Sequence, residues 1–290
     1  MKYSLAYESV FELGQRSGQE DCIYPAVGDP DPGNGLFMVC DGMGGHDKGE
    51  VASAAVCKAM SGYVNAHASA DGLFSEDDFN AALSAAYDAL DALDDGALKK
   101  MGTTMTFLKF HKGGCFMAHI GDSRIYHIRP SEPEGQRIIH VTRDHSLVND
   151  LVAIGELTPQ EARTSKQRNI ITRAMQPNQE RRSRADIVNI TDVRPGDMFY
   201  MCSDGMLESA EDSQIEALLS DRSITDAEKV AVLIRQTINN KDNHSAQLVR
   251  VCGSDDEASQ PGNPSYARLW ILAGLMLMMS AGCFYLATKI

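Results

Sequence analysis

The chain has 290 residues, of which 43% are hydrophobic and 23% are charged. This is the composition of a folded globular protein, and it excludes a disordered, collagen-like or coiled-coil chain. The 40 acidic residues outnumber the 27 lysines and arginines and give a net charge of −13, which argues against general nucleic-acid binding because phosphate backbones would be repelled.

The predicted elements, taken in chain order, combine short strands with separate helices. Short apolar runs predict strands at residues 36–40, 104–110, 115–120, 124–128, 138–141, 185–190, 198–202 and 246–251. Helical patterns lie at residues 49–67, 77–93, 146–154, 213–219 and 225–239. Because most strands cluster in the middle of the chain and several are joined by short glycine turns, we expect an α+β fold with antiparallel pairing.

Acidic side chains stand where several of these strands end. They are Glu20 and Asp21 in RSGQED, Asp41 in LFMVCDGMGGHDKGE, Asp122 in AHIGDSRIYHI, Asp204 in MFYMCSDGMLE and Asp242 in NNKDNHS. A buried carboxylate is costly without a cation or hydrogen-bond donors to compensate it. Oxygen ligands without clustered histidine or cysteine favour Mg²⁺ or Mn²⁺ over zinc, and two such ions can clamp a phosphoryl group.

An ordinary turn is the alternative interpretation of each acidic motif. Asp41-Gly42 and Asp204-Gly205 are typical turn pairs, and either pair taken alone favours a turn. The glycines near Asp41, which include Gly42 and Gly44, allow a close approach of the backbone so that a carbonyl can face an ion. The motifs taken together therefore favour a metal site.

The acidic motifs together resemble those of a known family. The string DGMGGHDKGEVAS, residues 41–53, is similar to the most diagnostic motif of the type 2C, metal-dependent Ser/Thr protein phosphatases. The blocks RSGQED, GTT, GDSR, TRDHS, SDGM and DNHS follow in that family's order, so the resemblance covers residues 1–252. It implies a four-layer α-β-β-α sandwich of two antiparallel sheets flanked by helices, with two Mn²⁺ or Mg²⁺ ions at one edge.

The resemblance implies a role for each matching residue. Asp41 would bridge the two ions and act in catalysis, while Gly42 would offer its backbone carbonyl. Asp204 and Asp242 would ligate the second ion. Arg16 matches the arginine that binds the phosphate of the substrate, and the planar fork of its guanidinium suits phosphate oxygens.

The remaining acidic positions match outer parts of the metal cluster. Glu20 would act largely through metal-bound water, and Asp21 would orient that water shell. Asp122 and Asp204 match the positions that hold a third, weaker ion in bacterial members. Met43 stands where many eukaryotic members carry the histidine proposed as general acid, a replacement that bacterial members commonly share.

The implied activity is hydrolysis of phosphoserine and phosphothreonine in proteins. A water bridging the two metal ions would attack phosphorus in line, without a covalent phosphoenzyme. We expect phosphorylated proteins as partners, among them a Ser/Thr protein kinase whose action the enzyme opposes. The alternative is a catalytically silent module that binds phosphoproteins, but a silent member has usually lost one of the six carboxylates that are intact here.

Residues 145–190 would form a flap beside the active site. The flap is basic in an otherwise acidic chain, with Arg163, Lys166, Arg168, Arg173, Arg181, Arg182 and Arg184. A solvated surface is the simpler interpretation of these charges. The functional hypothesis is that they receive a phosphorylated, acidic protein segment.

The end of the chain differs from the body at residues 1–252. Residues 253–267 are polar and acidic with prolines, as in a linker, and residues 269–288 carry no charge over a length that spans a bilayer core of about 30 Å as a helix. The alternative interpretation is that residues 269–288 form a buried C-terminal helix of the globular domain. The seven cysteines form no CxxC pair and are expected to be reduced. We therefore predict a single-pass tail anchor at residues 268–290, with the catalytic domain in the cytoplasm at a bacterial inner membrane.

Overall fold

The computed structural model describes residues 3–29, 33–44, 48–96 and 100–254. The strands are β1 (Tyr3–Glu12), β2 (Asp21–Tyr24), β3 (Leu36–Met43), β4 (Gly102–Thr103), β5 (Met105–His111), β6 (Gly114–Ile120), β7 (Arg124–Ile128), β8 (Ile138–Val141), β9 (Asp186–Ile190), β10 (Met198–Cys202) and β11 (His244–Ser254). The helices are α1 (Lys48–Ala66), α2 (Glu76–Asp91), α3 (Leu147–Ala153), α4 (Pro159–Thr164), α5 (Asp212–Ser220) and α6 (Asp226–Thr237), and a 3-10 turn covers Asp204–Leu207.

The strands form two sheets. The first sheet has the order β1-β11-β10-β7-β8, and the second has the order β2-β3-β5-β6-β9 with β4 beside β3. The neighbours β10 and β7, β2 and β3, β5 and β6, and β6 and β9 all run antiparallel. This confirms the predicted α+β fold with two antiparallel sheets.

Three hydrophobic layers join the sheets and helices. Phe37, Phe110 and Phe199 lie in the layer between the two sheets, with edge-to-face ring contacts. A second layer, which includes Phe79 of α2, packs α1 and α2 on the second sheet. A third, which includes Leu233 of α6, packs α5 and α6 on the first sheet. The order of layers is therefore helices, sheet, sheet, helices.

Helix boundaries follow local capping chemistry. Ser75 caps α2 by accepting a hydrogen bond from the Asp78 N–H, and the Asp78 carboxylate accepts one from the Ser75 N–H in return. Thr225 and Glu228 form the same capping box at the start of α6. These caps fix the helices that the sequence predicts at residues 77–93 and 225–239.

Four elements were not identified from the sequence. Strands β2 and β4 have four and two residues, which is too short to show an alternating pattern. Strand β1 is largely half-buried or exposed, and α4 has six residues.

The predicted linker and tail anchor lie outside the described residues, apart from the start of the linker at residues 253 and 254. Within the described ranges, no helix is both long and apolar enough to cross a membrane.

A buried ion-pair network stabilises one end of the first sheet. Asp197 and Arg129 are 1% and 5% exposed, and the Arg129 Nε donates to Asp197 Oδ1 at 2.8 Å. His127 Nε2 lies 2.9 Å from Asp197 Oδ2. Arg129 also pairs with Asp192, whose side chain is 60% exposed. Asp197 is therefore the buried anion on which the neighbouring cation depends.

Replacing Asp197 by alanine is expected to lower the free energy of unfolding by about 3 kcal/mol, because Arg129 then lies buried without its main partner. Urea unfolding measures this loss. The matched control is Asp192→Ala, which removes the exposed partner of the same arginine and is expected to cost less than about 1 kcal/mol. Equal losses for the two variants would contradict this account of the network.

Candidate metal centre

Strand register brings the predicted acidic residues to one edge of the sandwich. Asp21 of β2 lies opposite Asp41 at the end of β3. In the first sheet, Cys202 of β10 pairs with Arg124 of β7 and with Ala246 of β11. The residues that follow β10 and those that precede β7 and β11 therefore meet at the same edge of the first sheet.

Loops at this edge carry the other acidic side chains. Asp122 stands in the turn between β6 and β7, Asp204 begins the 3-10 turn after β10, and Asp242 precedes β11. Charge interactions link Asp41 with all three of these residues and with Asp21. The structure thus brings together Asp21, Asp41, Asp122, Asp204 and Asp242, which are five of the six carboxylates that the sequence singled out, and they come from both sheets.

Burial and mutual repulsion raise the pKa values of four carboxyl groups, those of Asp21, Asp41, Asp122 and Asp204. Desolvation raises the pKa of Asp21 to about 7, with contributions from the charges of Asp204 and Asp242 and an opposing effect of hydrogen bonds. Desolvation raises the pKa of Asp122 to about 8, with contributions from Asp204 and Asp144. The pKa of Asp41 is raised for the same two reasons, burial first and neighbouring carboxylates second.

Several buried carboxylate oxygens have no hydrogen-bond partner among the described residues. They are Oδ1 of Asp21, Oδ1 of Asp122 and Oδ1 of Asp204. Unpaired buried acceptors are rare in proteins because each loses its hydration without compensation. Three such atoms in one acidic cluster fit hard divalent cations with oxygen ligands, such as Mg²⁺ or Mn²⁺.

Arg16 lies at the rim of this cluster. Its guanidinium donates a hydrogen bond to Asp242 Oδ2 at 2.7 Å, and its side chain is 51% exposed. The hydrogen bond to Asp242 is the main cause that raises the pKa of Arg16, and the charges of Glu20 and Asp41 add to it. Arg16 thus presents donors to solvent directly beside the carboxylates, where a phosphate group could be bound.

Close backbone contacts around Gly42 determine which residues the site tolerates. The Gly42 N–H donates to the Glu20 carbonyl at 3.1 Å. A Cβ on Gly42 would lie 2.2 Å from the Gly49 carbonyl oxygen and 2.3 Å from the Glu20 carbonyl oxygen. A Cβ on Gly49 would lie 2.6 Å from Glu20 Oε1. Only glycine at both positions lets the start of α1 approach Glu20 and Gly42.

Neutral side chains hold the acidic residues in place. The Asp41 N–H donates to Thr104 Oγ1 at 2.9 Å, and Ser203 Oγ donates to Asp21 Oδ2 at 3.0 Å. Asn243 Oδ1 accepts the Glu20 N–H at 2.8 Å. The sequence places these three residues inside family motifs but does not indicate their role. The only signal was their position inside the motifs GTT, SDGM and DNHS.

Some flap arginines are bound within the fold. Arg182 donates to Asp88 at 2.6 Å and to Asp91 at 2.7 Å, and it lies over the ring of Tyr87 on α2. Arg173 donates to Asp186 at 2.8 Å. The hypothesis of a substrate-receiving basic surface therefore does not extend to Arg182, because its charge is used to attach the flap to α2.

Comparison with known proteins gives consistent matches. The family model described as Protein phosphatase 2C matches residues 21–251. The serine/threonine protein phosphatase PstP of Mycobacterium tuberculosis is 30% identical over 248 residues, which are 85% of this chain and 45% of the relative. The chain thus spans about half the length of that relative. The protein phosphatase PhpP of Streptococcus pneumoniae is 32% identical over 228 residues, 78% of this chain and 89% of the relative.

A solved structure shares the fold. It is the catalytic domain of the serine/threonine protein phosphatase PstP in complex with two manganese ions. It matches with a TM-score of 0.65 and 29% identity, over 86% of this chain and 98% of the other. The similarity therefore extends over the sandwich that carries the acidic cluster.

Raised carboxyl pKa values predict how metal-free stability depends on pH. Burial raises the pKa of Asp21 to about 7 and that of Asp122 to about 8, from the ordinary aspartate value of 3.8. At a pH between the ordinary pKa and the raised pKa, the folded chain binds more protons than the unfolded chain. The free energy of unfolding should therefore fall as pH rises from about 4 to about 8.

Urea unfolding in a chelator across this pH range measures the effect. Saturating Mn²⁺ should remove the decline, because the cation replaces the protons. The control is the double variant Asp21→Asn and Asp122→Asn, whose metal-free stability should vary less with pH. A metal-free wild type that becomes more stable from about pH 5 to about 8 would contradict the prediction.

Proposed function

The chain belongs to the protein phosphatase 2C family, and we propose that it is a metal-dependent enzyme that hydrolyses phosphoserine and phosphothreonine in proteins. The observation that carries the proposal is the convergence of Asp21, Asp41, Asp122 and Asp204 beside Arg16, with three buried carboxylate oxygens unpartnered among the described residues. An acidic cluster of this kind repels a phosphate dianion unless cations neutralise it. Divalent cations therefore belong to the proposed active form.

The acidic cluster and the Gly42 carbonyl would hold two Mn²⁺ or Mg²⁺ ions, and Asp122 and Asp204 would hold a third. When bound, such ions neutralise the phosphate and acidify water near neutral pH. Arg16 binds the phosphate oxygens through its exposed guanidinium, which Asp242 orients at 2.7 Å. Ser203 donates a hydrogen bond to Oδ2 of Asp21, and the buried Oδ1 has no hydrogen-bond partner among the described residues.

The alternative is a phosphoprotein-binding module without catalysis. Such a module needs the arginine but not a complete set of carboxylates. The chain keeps every acidic residue of the cluster, together with the glycines whose replacement would collide with Glu20. This completeness favours the enzyme. Because the side chain of Met43 cannot donate a proton, another group must protonate the departing alkoxide.

Replacing Asp41 or Asp204 by asparagine is expected to reduce Mn²⁺-dependent turnover to below about one hundredth, because the amide carries no charge to hold a cation. The measurement is release of phosphate from a phosphothreonine peptide and of phenolate from an aryl phosphate. Asp77→Asn is the control, since Asp77 is an exposed residue in the first turn of α2. Wild-type protein that binds a phosphopeptide but shows no turnover with Mn²⁺ or Mg²⁺ would support the silent module instead.

Phosphorylated, acidic protein segments are the proposed substrates. The flap residues Lys166, Arg168, Arg181 and Arg184 are exposed and make no ion pair within the described part of the chain. They are basic in a chain of net charge −13. Their position in the flap suits the recognition of negative charge around a phosphorylated residue. A Ser/Thr protein kinase and its substrates are the partners that this chemistry favours.

We also propose that residues 268–290 anchor the enzyme in a membrane, with the catalytic domain in the cytoplasm. The support is the uncharged run at residues 269–288 behind a polar linker. Tethering raises the effective concentration of the enzyme towards membrane-bound kinases.

Fractionation of bacterial cells tests the anchor. The full chain is expected in the inner-membrane fraction after an alkaline carbonate wash, whereas a variant ending at Ser265 should be soluble with unchanged aryl phosphate turnover. A full chain that the wash releases would contradict the proposed span.

A further inference from the structure

His145 holds both backbone groups of the residue before Asp122. Its own N–H donates to the Gly121 carbonyl at 2.9 Å, and its ring Nδ1 accepts the Gly121 N–H at 3.0 Å. The side chain is 6% exposed. One residue therefore fixes the peptide groups on both sides of Gly121 and, with them, the start of the turn that carries Asp122.

This turn has little freedom to adjust. Gly121 has φ +108°, and a Cβ there would lie 2.5 Å from Thr104 Cγ2. On the other side of Asp122, Ser123 Oγ lies 2.7 Å from Thr104 Oγ1, which also accepts the Asp41 N–H. A shift at Gly121 would thus be transmitted to Asp122 and, through Thr104, to Asp41.

The His145 ring is itself held from two sides. It stacks on His119 with ring centroids 4.5 Å apart and an angle of 12° between the planes. Since Nδ1 accepts a backbone N–H, the neutral ring carries its hydrogen on Nε2, which lies 3.2 Å from Asp186 Oδ2. Arg173 Nη1 donates to the other oxygen of Asp186 at 2.8 Å and also lies 3.2 Å from His145 Nε2. Because Nε2 carries a hydrogen, it cannot accept from the arginine, and Asp186 is the acceptor that both groups can use.

His145 is also the point where the flap returns to the sandwich. Its carbonyl accepts the Thr172 N–H at 2.8 Å. The next residue, Ser146, forms an isolated β-bridge with Ile171, and the Leu147 N–H donates to the Ile170 carbonyl at 2.9 Å. His145 thus contacts both the flap segment around Thr172 and the turn that carries Asp122.

A metal site is the competing interpretation of these groups. Within the described part of the chain, His119, His145 and Asp186 each bring one ligand atom within 4.8 Å of the others. Ligation through Nε2 of His145 would move its hydrogen to Nδ1, where it would point at the Gly121 N–H. The hydrogen bond to Gly121 therefore disfavours a metal ion and favours a structural connection.

We propose that His145 is a positioning residue that sets the geometry of Asp122 and couples the position of the flap to the acidic cluster. The proposal rests on the proposed function, since Asp122 matters only if the cluster binds cations. It predicts that the acceptor atom facing Gly121 is the essential part of the side chain, rather than the bulk of the ring.

Three variants separate the acceptor from the ring. His145→Phe keeps a ring that can stack on His119 but has no acceptor. In His145→Asn the amide oxygen can take the place of Nδ1, and in His145→Gln the amide takes the place of Nε2 and faces Asp186. His127→Phe is the control for a buried histidine, because His127 lies at the opposite end of β7, beside Asp197.

Calorimetric titration of each variant with Mn²⁺ gives metal affinity directly, and the melting temperature reports on folding. His145→Phe and His145→Gln are expected to weaken binding of the weakest ion by about 10-fold or more, and to lower kcat for an aryl phosphate more than they raise KM. His145→Asn should recover most of the Mn²⁺ affinity and most of kcat. His127→Phe should lower the melting temperature without changing Mn²⁺ affinity.

The proposal is overturned if His145→Phe and His145→Gln bind Mn²⁺ like the wild type, or if His145→Asn is as impaired as both. Zinc binding by the wild type that is lost in His145→Asn and in Asp186→Asn would overturn it in favour of a metal site. A wild type that binds Mn²⁺ but hydrolyses no phosphate ester would instead contradict the proposed function, while the comparison of Mn²⁺ affinities would still test His145.

Discussion

Repulsion among buried carboxylates is the constraint on which this structure depends. Asp21, Asp41, Asp122 and Asp204 lie at one edge of the sandwich, and burial together with their neighbours raises the pKa of each of them. A fold that collects such groups loses stability unless protons or cations neutralise them. The three hydrophobic layers compensate for this loss, because they pack the two sheets against each other and the helices against the sheets.

The groups that hold the acidic residues are mostly neutral. Thr104 and Asn243 bind the backbone N–H groups of Asp41 and Glu20, and Ser203 binds one oxygen of Asp21. Neutral donors and acceptors orient a carboxylate without cancelling its charge. The exception at the rim is Arg16, which is half exposed and remains accessible to an anion. The carboxyl groups at the centre of the cluster thus stay available to cations, while the rim offers a positive charge.

Much of the fold and the site could be predicted from the sequence, because the informative residues are unusual where they stand. Asp41 and Asp204 follow apolar runs of the sequence, and their motifs occur in the order of a known family. The supporting contacts could not be predicted, since a serine or asparagine in a loop gives no sign of its partner. His145 is the clearest case: it contacts Gly121, a residue 24 positions earlier in the chain, and only the fold brings the two together.

The division of the acidic cluster between the two sheets has a mechanical consequence. Asp21 and Asp41 belong to strands of one sheet, whereas Asp204 and Asp242 flank strands of the other. The spacing of these carboxylates therefore depends on how the two sheets pack on each other, and rings such as Phe110 and Phe199 form part of that packing. Aromatic side chains far from the site thereby help to set the distance between the carboxylate oxygens of one sheet and those of the other.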